Sequence, residues 1–337
     1  MKKYYKNIII LFIAIVIVLY FSLRNDFNTV ISELVKVNIS FILIAFLLMG
    51  VSWLLRSIVL FKLVRNFKEN FSLKMSFHVH LIVQFFNAVT PFASGGQPGT
   101  VYILNKKGLQ VRDGTNVIIQ ESIIFQFSFV LITIMAIILN NIFDIFPRVT
   151  LLQNLVLLGI IVNTTVMSLL LFVSFCNKDL KIKVVNGFIN FFSRFKIIKQ
   201  KEKLKEKFVT YVDDFNEGAK FLLKNKKELV LKIFFMSAAT IIRYMVPFVF
   251  LVAVLNTTNI NIAYVVIGTI FVSIVGTYIP TPGAMGGLEF AFMQYFTVFT
   301  TGGALTAVML LWRFATYYMG LILGGIAFAL FKPNKEN

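Results

Sequence analysis

A chain of 337 residues that is 58% apolar and 14% charged, with a mean hydropathy of +0.82, excludes a water-soluble globular domain as its main body. Its net charge of +18 is what an excess of Lys and Arg in cytoplasmic loops produces, so nucleic-acid binding is not needed to explain it. The single cysteine, Cys176, excludes an internal disulfide and a thiolate metal cluster, and His78 and His80 stand two apart, which does not suit a helical H-x-x-x-H metal pair.

Roughly 20 apolar residues are needed to cross about 30 Å of hydrocarbon. The first such run, Ile8 to Leu23, follows Lys2, Lys3 and Lys6 and has no small-residue cleavage site behind it, which predicts a retained span rather than a signal peptide. Five further crossings are predicted at 39–61, 114–139, 150–175, 229–255 and 303–330. Between them, 75–104 and 262–300 are apolar but interrupted by Gly and Pro, and read as re-entrant hairpins. The fold class is therefore an all-α polytopic membrane protein of about six spans and two broken hairpins.

Basic clusters fall at the N-terminus, at Lys62, Arg65, Lys68 and Lys74, at Lys106, Lys107 and Arg112, through 178–228, and at Lys332 and Lys335. Placing all of them in the cytoplasm puts both termini there, in a multi-pass plasma-membrane protein. The first hairpin then dips in from the cytoplasm and the second from outside. That topology is a single membrane domain of two inverted halves, 1–148 and 149–176 with 229–330. The intervening 177–228 holds 14 Lys or Arg against 7 Asp or Glu. Its apolar residues recur at helical spacing from Val184 to Ile198 and from Phe208 to Leu222, as in amphipathic helices lying on a membrane surface.

Each predicted hairpin carries the pattern T-P-x-A-x-G-G, as Thr90-Pro91-Phe92-Ala93-Ser94-Gly95-Gly96 and as Thr281-Pro282-Gly283-Ala284-Met285-Gly286-Gly287. Five identities in seven positions point to an internal duplication. Proline removes a backbone donor and glycine takes dihedrals that other residues avoid, so each copy is expected to break a helix at bilayer depth. Irregular backbone persists there only where it is buried in protein or lines a polar cavity. Such breaks at matching places in two halves point to a transporter's binding site.

The intramembrane charges obey the same repeat. Arg56 lies 34 residues before the first Thr-Pro and Arg243 lies 38 before the second, while Glu121 and Arg313 follow the Gly-Gly pairs by 25 and 26 residues. A charge at the bilayer centre costs about 2.5–3.5 kcal/mol on insertion scales, so all four are expected to face protein or a wet cavity. They either contact substrate or form structural ion pairs between the halves, such as Glu121 with Arg313.

The segment from Phe86 through Thr90-Pro91, Gly95-Gly96-Gln97-Pro98 and Tyr102 to Lys106-Lys107-Gly108, together with Ile279 to Glu289, resembles the flippase-like transmembrane family of the lysylphosphatidylglycerol synthases. The resemblance covers nearly the whole chain. It implies an inverted-repeat domain that moves aminoacylated or other anionic lipids between leaflets, with Glu121, Glu289 and Arg313 as intramembrane polar positions. Gln97 and Thr100 stand where the family often carries an acidic residue and an arginine. The soluble domain that takes lysine from lysyl-tRNA is expected to be absent, since the sequence ends at Asn337 just after the last span.

The expected site therefore comprises Thr90, Pro91, Gly95, Gly96, Gln97, Thr281, Pro282, Gly286, Gly287, Glu289, Arg56, Glu121, Arg243 and Arg313. Glycine N–H groups at Gly95, Gly96, Gly286 and Gly287 would cradle a lipid phosphate. The arginines would add bidentate donors, and Glu121 or Glu289 would take a cationic headgroup. The substrate is a phospholipid with an anionic or lysyl-modified headgroup, or a polyprenyl phosphate; no cofactor and no metal are expected. Two other readings stand beside translocation. One is phosphatidylglycerol lysyltransferase, as the family name implies, and the other is a non-transporting partner in cell-envelope synthesis. A homo-oligomer and a separate lipid-modifying enzyme are both compatible with the sequence.

Overall fold

The computed structural model describes residues 27–146, 150–175, 183, 222 and 224–332. The predicted span at 8–23 and most of the basic 177–228 segment lie outside them. The described residues form helices and no strands, as an apolar chain that must satisfy its own backbone groups in lipid requires. A short helix, α1 (Phe27–Lys36), leads into α2 (Ile39–Val64), whose first turn is capped by Asn38 Oδ1 accepting from the Ser40 N–H at 2.9 Å. Ser72 caps α3 (Leu73–Ala88) in the same way, and α4 (Gly96–Lys106) completes the first hairpin. Then follow α5 (Val111–Phe143) and α6 (Thr150–Phe175).

After α6 come α7 (Lys226–Tyr244) and α8 (Val246–Leu255), which run almost end to end. The single span predicted at 229–255 is thus two helices that meet at Met245, because Pro247, at the second position of α8, has no N–H to continue the ladder. The second hairpin is α9 (Ile262–Gly276) and α10 (Gly287–Tyr295), followed by a 3-10 turn at Phe296–Val298. The final crossing comprises α11 (Gly302–Arg313), a π-helical turn at Phe314–Tyr318 and α12 (Met319–Ala329). By length and apolar composition, 39–64, 111–143, 226–255 and 302–329 are each able to cross a bilayer.

Packing pairs the elements crosswise. The helix before each hairpin meets its counterpart, α2 against α7, while α3 packs on α12 and α9 packs on α5. Each hairpin's first arm therefore rests on the last crossing of the other half. At Gly324 the backbones of α12 and α3 come so close that an added Cβ would stand 2.5 Å from Leu81 O, so this glycine serves packing within one chain. The core around these contacts is aromatic: Phe292 stacks on Phe296 and on Trp312 with ring centroids 3.9 Å and 4.7 Å apart. Leu47, Leu131, Met135, Ile138 and Ile142 point outward as an apolar surface suited to lipid.

Candidate functional site

The two T-P-x-A-x-G-G segments adopt the same turn. In each, the N–H of the shared Ala donates to the carbonyl of the shared Thr, at 3.2 Å for Ala93 to Thr90 and 3.0 Å for Ala284 to Thr281. The third and fourth positions are both left-handed, with φ of +54° and +52° at Phe92 and Ala93 and +62° and +52° at Gly283 and Ala284. A repeated sequence has therefore kept a repeated and unusual backbone. The last glycine of each motif lets the second arm cross the first, since a Cβ on Gly96 would fall 1.9 Å from Asn87 Oδ1 and one on Gly287 would fall 2.5 Å from Ile279 Cγ1.

These two turns meet. Pro91 and Pro282 pair as an isolated antiparallel bridge. Neither proline has an N–H to contribute, so the pairing rests on its neighbours. The first turn is open, with Pro91, Phe92, Ala93 and Ser94 exposed, whereas Pro282 in the second is buried.

Charge organises the second turn from within. Arg313 and Glu289 are 4% and 6% exposed, and Arg313 Nε stands 2.7 Å from Glu289 Oε1. That N–H is not aimed along the line to the oxygen, so the contact is a charge pair rather than a directed hydrogen bond. Glu289 Oε2 accepts from the Gly286 N–H at 2.7 Å, and Arg313 Nη2 donates to Gly283 O at 3.0 Å. The ion pair thus holds both ends of the turn. Arg313 pairs with Glu289 and not with Glu121, contrary to the pairing suggested above, because Glu289 opens α10 directly beside α11.

Three of the four glycine N–H groups expected to cradle a phosphate are already engaged. Gly95 N–H donates to Thr90 Oγ1 at 2.8 Å, Gly96 N–H to Ala93 O at 3.4 Å, and Gly286 N–H to Glu289. Thr90 in turn donates to Phe86 O and Thr281 to Met285 O, at 2.7 and 2.9 Å. Both motifs thus meet much of their polar demand internally, as a break in an apolar medium requires.

The remaining predicted charges gather differently. Arg56, Glu121 and Arg243 are half-buried. Arg56 lies 5.0 Å from the Phe125 ring centroid and its buried Nε has no hydrogen-bond partner. It interacts electrostatically with Glu121, and Arg243 with both Arg56 and Arg313. Among the described residues neither Arg56 nor Arg243 has a carboxylate within ion-pair distance. Gln97 is exposed and donates to Ser122 Oγ at 3.1 Å, beside Glu121 in sequence. His80, 5% exposed, contacts Gln84 at 2.9 Å and adds its ring to the surroundings of both arginines. No group of three or more metal-ligating side chains occurs among the described residues.

The family profile described as lysylphosphatidylglycerol synthase TM region matches residues 7–324. The chain belongs to this family. It is accordingly a membrane-embedded protein related to phospholipid metabolism. A search of curated proteins gives no match.

One functional neighbour in this family member escaped the sequence reading. Tyr317 lays its ring 4.6 Å from the Arg313 guanidinium and donates its hydroxyl to Ala88 O at 2.9 Å, tying the second half's ion pair to the end of α3. The available signal was its spacing, four residues after Arg313 and so on the same helix face. Tyr317→Phe leaves the Ala88 carbonyl without its partner and should lower stability by about 1 kcal/mol, read as a small drop in the thermal midpoint in detergent. An unchanged midpoint would mean that this bond does not hold the halves together.

Proposed function

We propose that this protein is a lipid translocase that moves an anionic or aminoacylated phospholipid between the leaflets of the plasma membrane. Both termini face the cytoplasm, and 1–148 and 149–176 with 229–330 act as inverted halves. One observation carries the reading: Arg56 and Arg243 sit half-buried within electrostatic reach of each other, without a carboxylate at bonding distance among the described residues. Two like charges so placed are costly in a low-dielectric interior, and a phosphate is the counter-charge that planar guanidinium groups hold best.

In this mechanism the headgroup phosphate bridges Arg56 and Arg243 while the acyl chains stay in the bilayer. Glu121 balances Arg56 when the site is empty and accepts the ammonium of an aminoacylated headgroup when one arrives. The Arg313–Glu289 pair and Tyr317 hold the breaks in register so that the headgroup passes between two rigid halves. The clasp of backbone bonds around Thr90, Gly95 and Gly286 does not touch the lipid.

The test is a proteoliposome assay with fluorescent phosphatidylglycerol and a membrane-impermeant quencher. Arg56→Ala and Arg243→Ala should each slow translocation by about tenfold or more, equivalent to losing one charge-assisted contact of roughly 1.4 kcal/mol. The unfolding midpoint of Arg243→Ala should be unchanged or raised, since it removes a charge with no carboxylate at bonding distance, whereas Arg56→Ala also deprives Glu121 of its balancing charge and should be the less stable of the two. Translocation by both variants at the wild-type rate would reject the proposal.

A further inference from the structure

A cavity of about 360 Å³ lies between Asn66 just beyond α2, the start of α7 and Gln120 of α5. It falls at the lower end of the range of about 300–1,000 Å³ typical of small-molecule sites and far exceeds the roughly 30 Å³ share of one water. Its polar lining is Asn66, Gln120, Lys224, Asn225, Glu228 and Lys232, and none of the central arginines takes part.

Two features of the lining are costly unless a ligand uses them. Gln120 is fully buried, yet neither Oε1 nor Nε2 has a hydrogen-bond partner. Asn116, one helical turn earlier on the same face of α5, is 5% exposed and has an unpartnered Oδ1 as well. Lys232 is 5% exposed, and among the described residues its one hydrogen bond is the 2.7 Å contact to Glu228 Oε2, although an ammonium carries three donors. Oε2 of Glu228 is thereby engaged, so among the described lining residues two lysines and the Gln120 amide face a single carboxylate, an excess of positive charge and N–H donors that suits an anionic ligand.

We infer that this cavity is a second ligand site, which binds a phosphate-bearing headgroup through Lys232, Lys224 and the Gln120 amide. The chemistry recognised is the phosphate ester, borne either by a lipid at the membrane surface or by a soluble metabolite. Counting from Val111 to Gln120 at about 1.5 Å per residue, its floor lies about 14 Å along α5 from that helix's start. Occupancy is an equilibrium property and does not rest on translocation.

The full chain in neutral detergent is titrated calorimetrically with sn-glycerol 3-phosphate. In parallel, native mass spectrometry counts lipid retained from phosphatidylcholine nanodiscs made with and without phosphatidylglycerol. Gln120→Leu, which fills the same volume, and Lys232→Met should each weaken binding of the active probe by about tenfold or more. Lys224→Ala, at an exposed position, should weaken it less and leaves the fold untouched. The double variant Arg56→Ala/Arg243→Ala should keep this binding, so failure here and failure of translocation are told apart. Response to the soluble probe assigns a free phosphate ester, and response to the nanodisc lipid alone assigns a lipid headgroup. Binding of neither probe by the wild type, or wild-type affinity in Gln120→Leu and Lys224→Ala, overturns the inference.

Discussion

Arg313→Ala should destabilise the protein by about 3–5 kcal/mol, the range seen when one partner of a buried ion pair is removed. The reason is what remains: Glu289, 6% exposed, would keep its charge in an apolar interior with only the Gly286 N–H to satisfy it. Gly283 O would also lose the Nη2 donor that now reaches it at 3.0 Å. Replacing both partners, as Arg313→Met with Glu289→Leu, should recover much of the loss, because an apolar pair of similar volume carries no desolvation cost. Recovery stays incomplete, since the carbonyl of Gly283 and the N–H of Gly286 are left unmet. Thermal unfolding of the three proteins in detergent measures this, and a double variant no more stable than Arg313→Ala would rule out charge compensation as the pair's role.

Gly283→Ala should be the second most damaging single change. At φ +62° a side chain is strained wherever it stands, and here the new Cβ would lie 2.2 Å from Tyr317 Cε2. The ring cannot retreat without giving up its stack on Arg313 and its bond to Ala88 O. Gly302→Ala is the control, because Gly302 has φ +63° but nothing within 4 Å of the added atom. Strain alone, about 1–3 kcal/mol, should appear at Gly302, and a clearly larger loss at Gly283. Equal losses would show that Tyr317 does not press on the turn. Translocation should fall with stability in Gly283→Ala and persist in Gly302→Ala, read in the same proteoliposomes.

Where the sequence reading and the structure part company, the cause lies in helix rotation. Arg313 follows the second Gly-Gly as Glu121 follows the first, and that spacing suggested pairing them across the halves. A helix of this kind presents a new face every residue, and the 100° step between neighbours decides which charge a side chain meets. The partner turned out to be Glu289, which also closes the turn at Gly286. The N–H groups of Gly95, Gly96 and Gly286 find acceptors for a related reason: acceptors such as Thr90 Oγ1 take a direction that depends on the turn that the motif itself creates. Tyr317 was invisible because an aromatic residue in an apolar run reads as core until its hydroxyl is seen to reach Ala88.

By itself the amino-acid order determined the class, most of the described helices and the two Thr-Pro/Gly-Gly breaks, though not the break at Met245. Apolar length sets how far a segment can cross lipid, and Thr-Pro followed by Gly-Gly denies the backbone its ladder whatever surrounds it. Local chemistry suffices for both. Only the tertiary structure decided that the breaks touch at Pro91 and Pro282 and that Arg313 is ion-paired within the fold while Arg56 and Arg243 have no carboxylate at ion-pair distance among the described residues. Those outcomes depend on distances between residues far apart in the chain, and electrostatic pairing in a low-dielectric interior changes with every ångström of separation.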